Sequence, residues 1–320
     1  DSHGVCNLTT VNMTAFIKDD NSLDLSGLEE AQRLSARAGL RMTLVDLELP
    51  EWNKVQQRDR LLGTSLTGVK DTFSAITSPE TYENPKEYED YVLRVLRSAA
   101  NGESERYAAE LRVNAPLLVT TVKPEGTLSL VAGGVSPGIH MSHSPYYIRR
   151  MRISSIDPLV QVVRELGWPI SPEVGTPGVS FEEQMNNART LVIDFPVKTN
   201  STQTKNDVSL SDQMDTYFQF QENYTNHNTS ITMTVKNDEW DLAKELSWKN
   251  WDRWMGASFL AHDGGTYELA PYEEITEGEY NNISARFKNF DPSLLYKYET
   301  LETDVELIDE ACDSGVCPIR

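Results

Sequence analysis

The chain has 320 residues, with 39% hydrophobic and 24% charged side chains, a composition typical of a soluble globular protein. Its 49 acidic and 29 basic residues give a formal net charge of −20, which argues against broad nucleic-acid binding because that function needs a cationic surface. The sequence contains no run of 18 or more apolar residues, so no membrane span is predicted. Residues 1–20 lack the basic start and apolar stretch of a signal peptide, and we therefore expect a cytoplasmic protein.

The predicted elements alternate between strands and helices as far as about residue 260. Residues 5–16 favour a buried strand, and residues 25–47 a helix, with Ser26 as its expected N-cap and Glu29 completing a capping box. The later elements are predicted helices at 86–111, 157–166, 209–222 and 237–254, and predicted strands at 115–123, 191–195, 229–235 and 257–260. This alternation predicts βα units that form a parallel sheet or barrel.

Two further patterns concern the last third of the chain. Trp248, Trp251 and Trp254 follow helical spacing, which predicts that they pack into the core. After about residue 290 the alternation stops, and residues 297–313 are strongly acidic. That composition favours a flexible, solvated tail.

The three cysteines lie at opposite ends of the sequence, with Cys6 near the start and Cys312 and Cys317 near the end. A cysteine pair four residues apart on a flexible tail can close a small disulfide, and exchange with another disulfide needs an accessible thiol. The tail pair therefore predicts a redox shuttle; a stapling disulfide and a zinc site are the alternatives. Cys6 alone is typical of a small buried hydrophobe, but a reducing tail needs a disulfide to reduce, and Cys6 could supply half of it.

A glycine-containing loop follows the strand predicted at 115–123. It joins a lysine to hydroxyl side chains in the string Lys123-Pro124-Glu125-Gly126-Thr127-Leu128-Ser129. Such a loop can aim backbone N–H groups and hydroxyls at a phosphate, helped by the dipole of a following helix. A plain turn is the alternative, and Glu125 suits an anion site only if its side chain points away.

Two shorter patterns precede the middle of the chain. His140 and His143 are spaced like metal ligands, but without a nearby carboxylate or cysteine they favour loop hydrogen bonding, and no metal site is predicted. Tyr146 and Tyr147 precede Ile148-Arg149-Arg150, which is interpreted as a packed aromatic pair beside a basic surface strip.

In their order along the chain, these strings resemble the C-terminal portion of an adenosylcobalamin-dependent (class II) ribonucleotide reductase of the monomeric, triphosphate-reducing type. Val5 to Leu8 resembles the segment that carries one of the two reducing thiols, and Lys123 to Ser129 resembles the substrate-phosphate loop, Lys-Pro-Ser-Gly-Thr-x-Ser. The other similar segments are Arg60 to Asp71 (Arg-Arg-x-Gly-x-x-x-x-Gly-x-x-Asp in the family), Gly138 to Arg150, Ser258 to Leu260, Ala270 to Thr276, and the terminal dithiol Cys312-x4-Cys317-Pro318-Ile319.

The resemblance implies a fold and a reaction. The fold is an α/β class, the C-terminal part of a ten-stranded α/β barrel, expected over residues 1–290, with a flexible redox tail over residues 291–320. The reaction is reduction of a ribonucleoside triphosphate or diphosphate to the deoxyribonucleotide by thiyl-radical chemistry that depends on adenosylcobalamin. The catalytic residues implied are Cys6 as one reducing thiol and Cys312 and Cys317 as the dithiol that re-reduces it.

The resemblance also implies partners. The radical cysteine lies in an Asn-Pro-Cys-Gly-Glu segment that this sequence lacks, so an N-terminal half is expected to supply it and to share the cofactor site. Thioredoxin or a glutaredoxin-like reductant is expected to reset the tail. The alternatives are the large subunit of a diiron-dependent (class I) reductase and a catalytically silent nucleotide-phosphate-binding module.

Overall fold

A computed structural model describes residues 2–199, 201, 203–262, 268–287 and 289–299. In chain order, its strands and helices are β1 (Asn7–Asn12), α1 (Leu25–Met42), α2 (Pro50–Asp59), β2 (Leu62–Thr67), α3 (Val69–Ala75), α4 (Pro85–Leu111), α5 (Leu128–Val131), β3 (Tyr146–Ser154), α6 (Pro158–Leu166), β4 (Ile170–Pro172), α7 (Phe181–Asn187), β5 (Thr190–Lys198), α8 (Leu210–Asn223), β6 (Thr232–Val235), α9 (Trp240–Lys249), β7 (Ser258–Ala261), β8 (Tyr272–Glu274) and α10 (Glu277–Ser284). Short 3₁₀ turns occupy Met13–Phe16, Trp251–Arg253 and Pro292–Lys297.

The chain divides into two compact units. The first contains residues up to 142 together with 199–262, and the second contains residues 143–198 together with the described residues beyond 262. The chain therefore passes from the first unit to the second after residue 142, returns at residue 199, and enters the second unit again after residue 262.

The first unit is built on parallel strand segments that follow one another in chain order. β1 pairs with β2 in parallel, and β6 pairs with β7 in the same way. The extended segment 118–122 links the two pairs through parallel bridges from Thr64 to Thr120 and from Val122 to Thr229. This succession of parallel strands with intervening helices confirms the predicted α/β class.

Helices cover one face of these strands because their apolar residues recur at helical spacing. Leu28 of α1 and Val92 and Leu96 of α4 are fully buried and share a core with Leu66 of β2. All six residues of β2 are buried, as expected for a strand covered on both faces of a parallel sheet. The predicted cap of α1 was wrong: Asp24, not Ser26, is the N-cap and accepts the N–H of Gly27, so the helix begins two residues earlier than a cap at Ser26 would place it.

The second unit contains a sheet that the sequence patterns do not predict. Its strands run in the order β4-β5-β3-β8, and all three pairings are antiparallel. β5 runs from Thr190 to Lys198, so the predicted end of this strand at residue 195 was wrong. Proline is tolerated there because β4 pairs only with Leu191–Ile193, which leaves that edge of β5 open at Pro196.

The arginines of β3 do not form the expected basic surface strip. Arg150 is 7% exposed, and its guanidinium pairs with Asp194 of β5 and Glu273 of β8. Arg149 stacks over the ring of Tyr272, with 4.5 Å between the guanidinium carbon and the ring centroid. Both arginine side chains therefore link β3 to neighbouring strands of the same sheet.

The start of the predicted acidic tail contacts the second unit. Lys297 Nζ and Tyr298 Oη both donate to Glu165 Oε2 of α6, at 2.9 and 2.6 Å. Residues 300–320 lie outside the described residues, and the boundary at residue 290 stays a prediction. Within the part of the chain that is described, no helix is long and apolar enough to cross a membrane.

Candidate functional site

The alternation of β1 determines which of its residues can meet the loop that follows 118–122. Thr9 Oγ1 donates to the carbonyl of Ser35 in α1 at 3.2 Å, so this face of the strand is covered by the helix. Thr10 and Leu8 project from the opposite face, and Cys6 continues that series just before the strand begins. The candidate thiol therefore shares a face with Thr10 and Leu8.

Cys6 is half-buried where β1 and β2 begin. Burial raises the pKa of the Cys6 thiol because the thiolate loses its hydration, and the positive charge of Lys123 opposes that rise. Since burial has the larger effect, the thiol is protonated at neutral pH. A protonated thiol can donate a hydrogen together with its electrons, whereas a nucleophilic cysteine must be a thiolate.

The loop 123–129 begins where segment 118–122 ends. Its first residue is fixed by a hydrogen bond from the Lys123 N–H to Ser65 Oγ of β2, at 3.0 Å. Glu125 then takes a left-handed backbone conformation with φ of +55°, while Thr127 is right-handed with φ of −92°. Such a change of hand lets successive N–H groups point into one concavity, the arrangement that binds anions in other proteins.

The loop has free backbone donors. The N–H groups of Gly126, Thr127 and Leu128 donate no hydrogen bond to any residue that the structure describes. The following helix α5 has only four residues, so its dipole adds less than the sequence pattern suggests. Any anion held here would depend mainly on the three N–H groups and on Lys123.

Glu125 is tied to β1. Thr10 Oγ1 donates to Glu125 Oε1 at 2.8 Å, which gives the carboxylate a neutral donor on the strand that Cys6 precedes. Because Thr10 and Glu125 both line the cleft described below, the expectation that Glu125 points away from an anion site stays a prediction. The same bond joins the loop to β1.

The segment that follows α5 is held by Asp71 of α3. Asp71 is 3% exposed; its Oδ2 accepts the Ser136 N–H at 2.8 Å, and its own N–H donates to Ser136 Oγ at 3.2 Å. Burial raises the pKa of this carboxyl, an effect that its bonds to Ser136 and Ser142 oppose. The sequence names Asp71 only as the last residue of the similar segment Arg60 to Asp71, and it does not predict this anchoring role.

Gly138, in the segment that follows α5, packs closely against the first residue of the loop. Its φ is +55°, and a Cβ atom at this position would lie 2.5 Å from the carbonyl oxygen of Lys123. Both the backbone conformation and the close approach require glycine. The N–H of Gly138 also donates to Thr67 Oγ1 of β2, at 3.3 Å.

His140 and His143 take part in different local contacts. His140 has a hydrogen-bond partner for each ring nitrogen: Nδ1 lies 3.0 Å from the carbonyl of Pro137, and Nε2 accepts the N–H of Thr232 at 3.0 Å. The His143 ring stacks on Tyr272 with 5.4 Å between centroids. Both histidines therefore take part in contacts within the fold. Among the described residues, no group of three or more His, Cys, Asp or Glu could hold a metal ion.

An open cleft of about 650 Å³ lies beside the loop and β1. Its lining includes Lys123, Glu125 and Leu128 from the loop side and Thr10 from β1, with Leu34 of α1 on another wall. This volume is that of a site for a small ligand. The tail cysteines, Cys312 and Cys317, lie outside the described residues, so their relation to the cleft stays a prediction.

The fold is that of ribonucleotide reductases. A crystal structure of a B12-dependent (class II) ribonucleotide reductase superposes with a TM-score of 0.73 and 24% identity, covering 92% of this chain and 42% of that one. The class Id alpha subunit of Actinobacillus ureae is a weaker match, with a TM-score of 0.51, 13% identity, and coverage of 81% of this chain and 50% of that one.

Curated relatives show which type of ribonucleotide reductase the sequence resembles. The adenosylcobalamin-dependent ribonucleoside-triphosphate reductase of Lactobacillus gasseri is 28% identical over 338 aligned positions, which cover 98% of this chain and 43% of the relative. A probable enzyme of the same name from Dictyostelium discoideum is 28% identical and covers 87% of this chain and 34% of its own length. No family model matches the chain.

These findings confirm the resemblance that the motifs predict: the chain is similar in sequence to part of the adenosylcobalamin-dependent ribonucleoside-triphosphate reductases. It spans less than half the length of the curated relatives that it matches.

Proposed function

We propose that this chain is a working part of a ribonucleotide reductase that converts ribonucleoside triphosphates to deoxyribonucleotides. The observation that carries the proposal is the common location of a thiol and an anion-binding loop. The Lys123 charge acts on Cys6, and the Glu125 carboxylate accepts from Thr10 on the same strand face as Cys6. A nucleotide held by its phosphates at the loop would have a reducing thiol nearby.

The loop is proposed to bind the substrate phosphates. The N–H groups of Gly126, Thr127 and Leu128 donate to no described residue, and Lys123 supplies a cation at the start of the loop. Backbone N–H groups and an ammonium together are the usual partners of a phosphate in proteins. Pro124, Thr127 and Ser129 complete the loop, and Ser129, which is 2% exposed, anchors its base.

Cys6 is proposed as one of two thiols that reduce the ribose. Two thiols together give two electrons and two protons, the 2′ hydroxyl leaves as water, and the thiols become a disulfide. The second thiol and the radical cysteine would come from an N-terminal part, as the family resemblance implies. The protonated state of Cys6 at neutral pH supports this role.

Cys312 and Cys317 are proposed to reduce that disulfide by thiol exchange and to be reset by thioredoxin or a glutaredoxin-like protein. Exchange passes through a mixed disulfide, so the attacking thiol must reach the active site. The curated relatives' name implies adenosylcobalamin as the cofactor that generates the radical. Nothing among the described residues identifies a corrin site, so none of them is assigned to the cofactor.

A complementation assay tests the proposal. The chain would be combined with the N-terminal part of the Lactobacillus gasseri relative, adenosylcobalamin and a ribonucleoside triphosphate, and deoxyribonucleotide would be measured by chromatography. We expect turnover with dithiothreitol or thioredoxin. Cys6→Ser should abolish turnover with both reductants, and Cys312→Ser should abolish only the thioredoxin-driven reaction.

Lys123→Gln should raise the KM for the nucleotide about tenfold or more, since it removes a charge-assisted contact worth roughly 1.5–3 kcal/mol. Lys18→Gln, in an exposed turn, is the matched control and should leave KM unchanged. Undiminished turnover in Cys6→Ser would overturn the reducing-thiol role. Nucleotide binding by calorimetry without any turnover in the complemented mixture would favour the silent binding module instead.

A further inference from the structure

The thiol of Cys6 occupies space that a glycine leaves open. In the parallel pairing of β1 and β2, Leu8 lies opposite Gly63. A Cβ atom built on Gly63 would lie 2.9 Å from Cys6 Sγ and 2.4 Å from Leu8 Cδ2. Carbon atoms do not approach neighbours so closely, so any side chain at position 63 would displace the thiol, the leucine or both.

The backbone does not require glycine at this position. Gly68, five residues later, has a φ of +68°, whereas Gly63 is not among the residues with positive φ. Gly63 lies inside a fully buried strand, where glycine adds no side-chain packing and weakens the strand relative to a larger residue. Glycine within a strand commonly marks a close approach by another group, and here that group is the Cys6 side chain.

We propose that Gly63 is a positioning residue for the Cys6 thiol, which lies across β2 only because position 63 has no side chain. This inference rests on the proposed role of Cys6 as a reducing thiol. Thr121 Cγ2 lies 3.1 Å from the same built Cβ position, and the Lys123 charge acts on the thiol. Gly63 thus directs the thiol towards the end of segment 118–122, where the phosphate loop begins.

The neighbours of Gly63 determine what an alanine would do there. The two closest atoms are the ends of flexible side chains, and Leu8 is 48% exposed. Both can rotate away, so we expect Gly63→Ala to move the thiol outward and to leave the fold intact. A thiol moved outward is less buried, and loss of burial outweighs its greater distance from Lys123.

Thiol reactivity tests the proposal on the full chain. Cys312→Ser and Cys317→Ser leave Cys6 as the single thiol, and its second-order rate with iodoacetamide is measured from pH 6.5 to 10. We expect Gly63→Ala to raise the rate at pH 8 by at least about threefold and to lower the pH midpoint of the reaction, since a more exposed thiol ionises more readily. Gly102→Ala, in the middle of α4 with no atom within 4 Å of its built Cβ, is the matched control and should change neither quantity.

An unchanged rate and midpoint in a Gly63→Ala chain with native circular dichroism would overturn the inference. If Gly63→Ala does not fold, Leu8→Ala combined with Gly63→Ala removes the shorter contact, and its alkylation is compared with that of Leu8→Ala alone. Failure of this double variant to fold would also overturn the inference, because it would mean that the Cys6 side chain cannot move aside for a side chain at position 63. Alkylation does not depend on turnover, so a failed complementation assay leaves this result interpretable.

Discussion

At the scale of single residues, His140 connects the end of the loop region to β6 through a ring that must stay neutral. Nδ1 donates to the Pro137 carbonyl, so Nε2 is the unprotonated nitrogen that accepts the Thr232 N–H. Burial lowers the pKa of His140, and the bond to Pro137 only partly offsets this effect. Protonation would place a second proton where the Thr232 N–H now points.

This arrangement predicts a pH dependence of stability. The folded-state pKa of His140 lies below its unfolded-state value of about 6.5, so its contribution is complete above that value and is lost as pH falls through the folded-state pKa. Urea unfolding followed by circular dichroism should show the parent losing more stability between pH 7.5 and 5.5 than His140→Gln does. The difference cannot exceed about 1.4 kcal/mol per pH unit.

His227, whose pKa is also lowered by burial, is present in both chains and cancels in this comparison. His3→Asn is the control at an exposed histidine; asparagine tolerates the φ of +67° found there. Equal pH slopes for the parent and His140→Gln would show that the ring of His140 is not held neutral by the fold.

At the scale of secondary-structure elements, helices with strong amphipathic patterns could be predicted from the sequence. The predictions at 86–111, 157–166 and 209–222 each match an observed helix within a residue or so at either end. Ser209 is the N-cap of the last of these helices and forms a capping box with Asp212. These signals are local, so the sequence contains them fully.

β2 and β3 could not be predicted because their patterns depend on distant partners. β2 is buried on both faces and contains Gly63, Ser65 and two threonines, whose polar atoms bond to neighbouring segments. β3 contains Arg150, which is buried only because carboxylates from β5 and β8 meet it. The loop string 123–129 could be located from sequence, but the anchors that hold it, Asp71 and Gly138, act across the chain.

The prediction that three tryptophans near α9 pack into the core was wrong for two of them. Trp248 is 78% and Trp251 69% exposed, whereas Trp254 packs against Tyr217 and Phe218 with ring centroids 4.8 and 4.9 Å apart. The helix ends at Lys249, so helical spacing does not continue to Trp254. Side chains beyond that point follow the path of the 3₁₀ turn instead.

This difference predicts unequal costs of substitution. Trp254→Ala should lower the free energy of unfolding by about 2–4 kcal/mol, because it removes a packed aromatic ring and its bond from Nε1 to the Ser247 carbonyl. Trp248→Ala, the matched control, should change it by no more than about 0.5 kcal/mol. Urea unfolding followed by circular dichroism measures both, and similar losses for the two variants would contradict the observed packing.

At the scale of the whole molecule, the excess of acidic residues creates repulsion that the fold must overcome. The net charge of −20 comes from 49 acidic and 29 basic residues, and like charges destabilise a compact state. Surface ion pairs such as Arg106 with Glu110 act in the opposite direction, but each exposed pair contributes only about 0–1 kcal/mol. With so large an excess of one sign, we expect repulsion to dominate.

Moderate salt should therefore stabilise the protein. Raising NaCl from 20 to 200 mM shortens the screening length from about 20 to about 7 Å, which weakens long-range repulsion more than contacts between adjacent ions. We expect the thermal unfolding midpoint, followed by circular dichroism at pH 7.5, to rise by about 2–6 °C, which corresponds to roughly 1–2 kcal/mol in a chain of this size.

A variant with amides at four exposed acidic positions, Asp19, Glu48, Glu80 and Glu105, serves as the control because none of these side chains has a described ion pair. Its salt response should be smaller than that of the parent, since fewer negative charges remain to be screened. A midpoint that falls with added salt in the parent would mean that local ion pairs, not overall repulsion, set the electrostatic part of its stability.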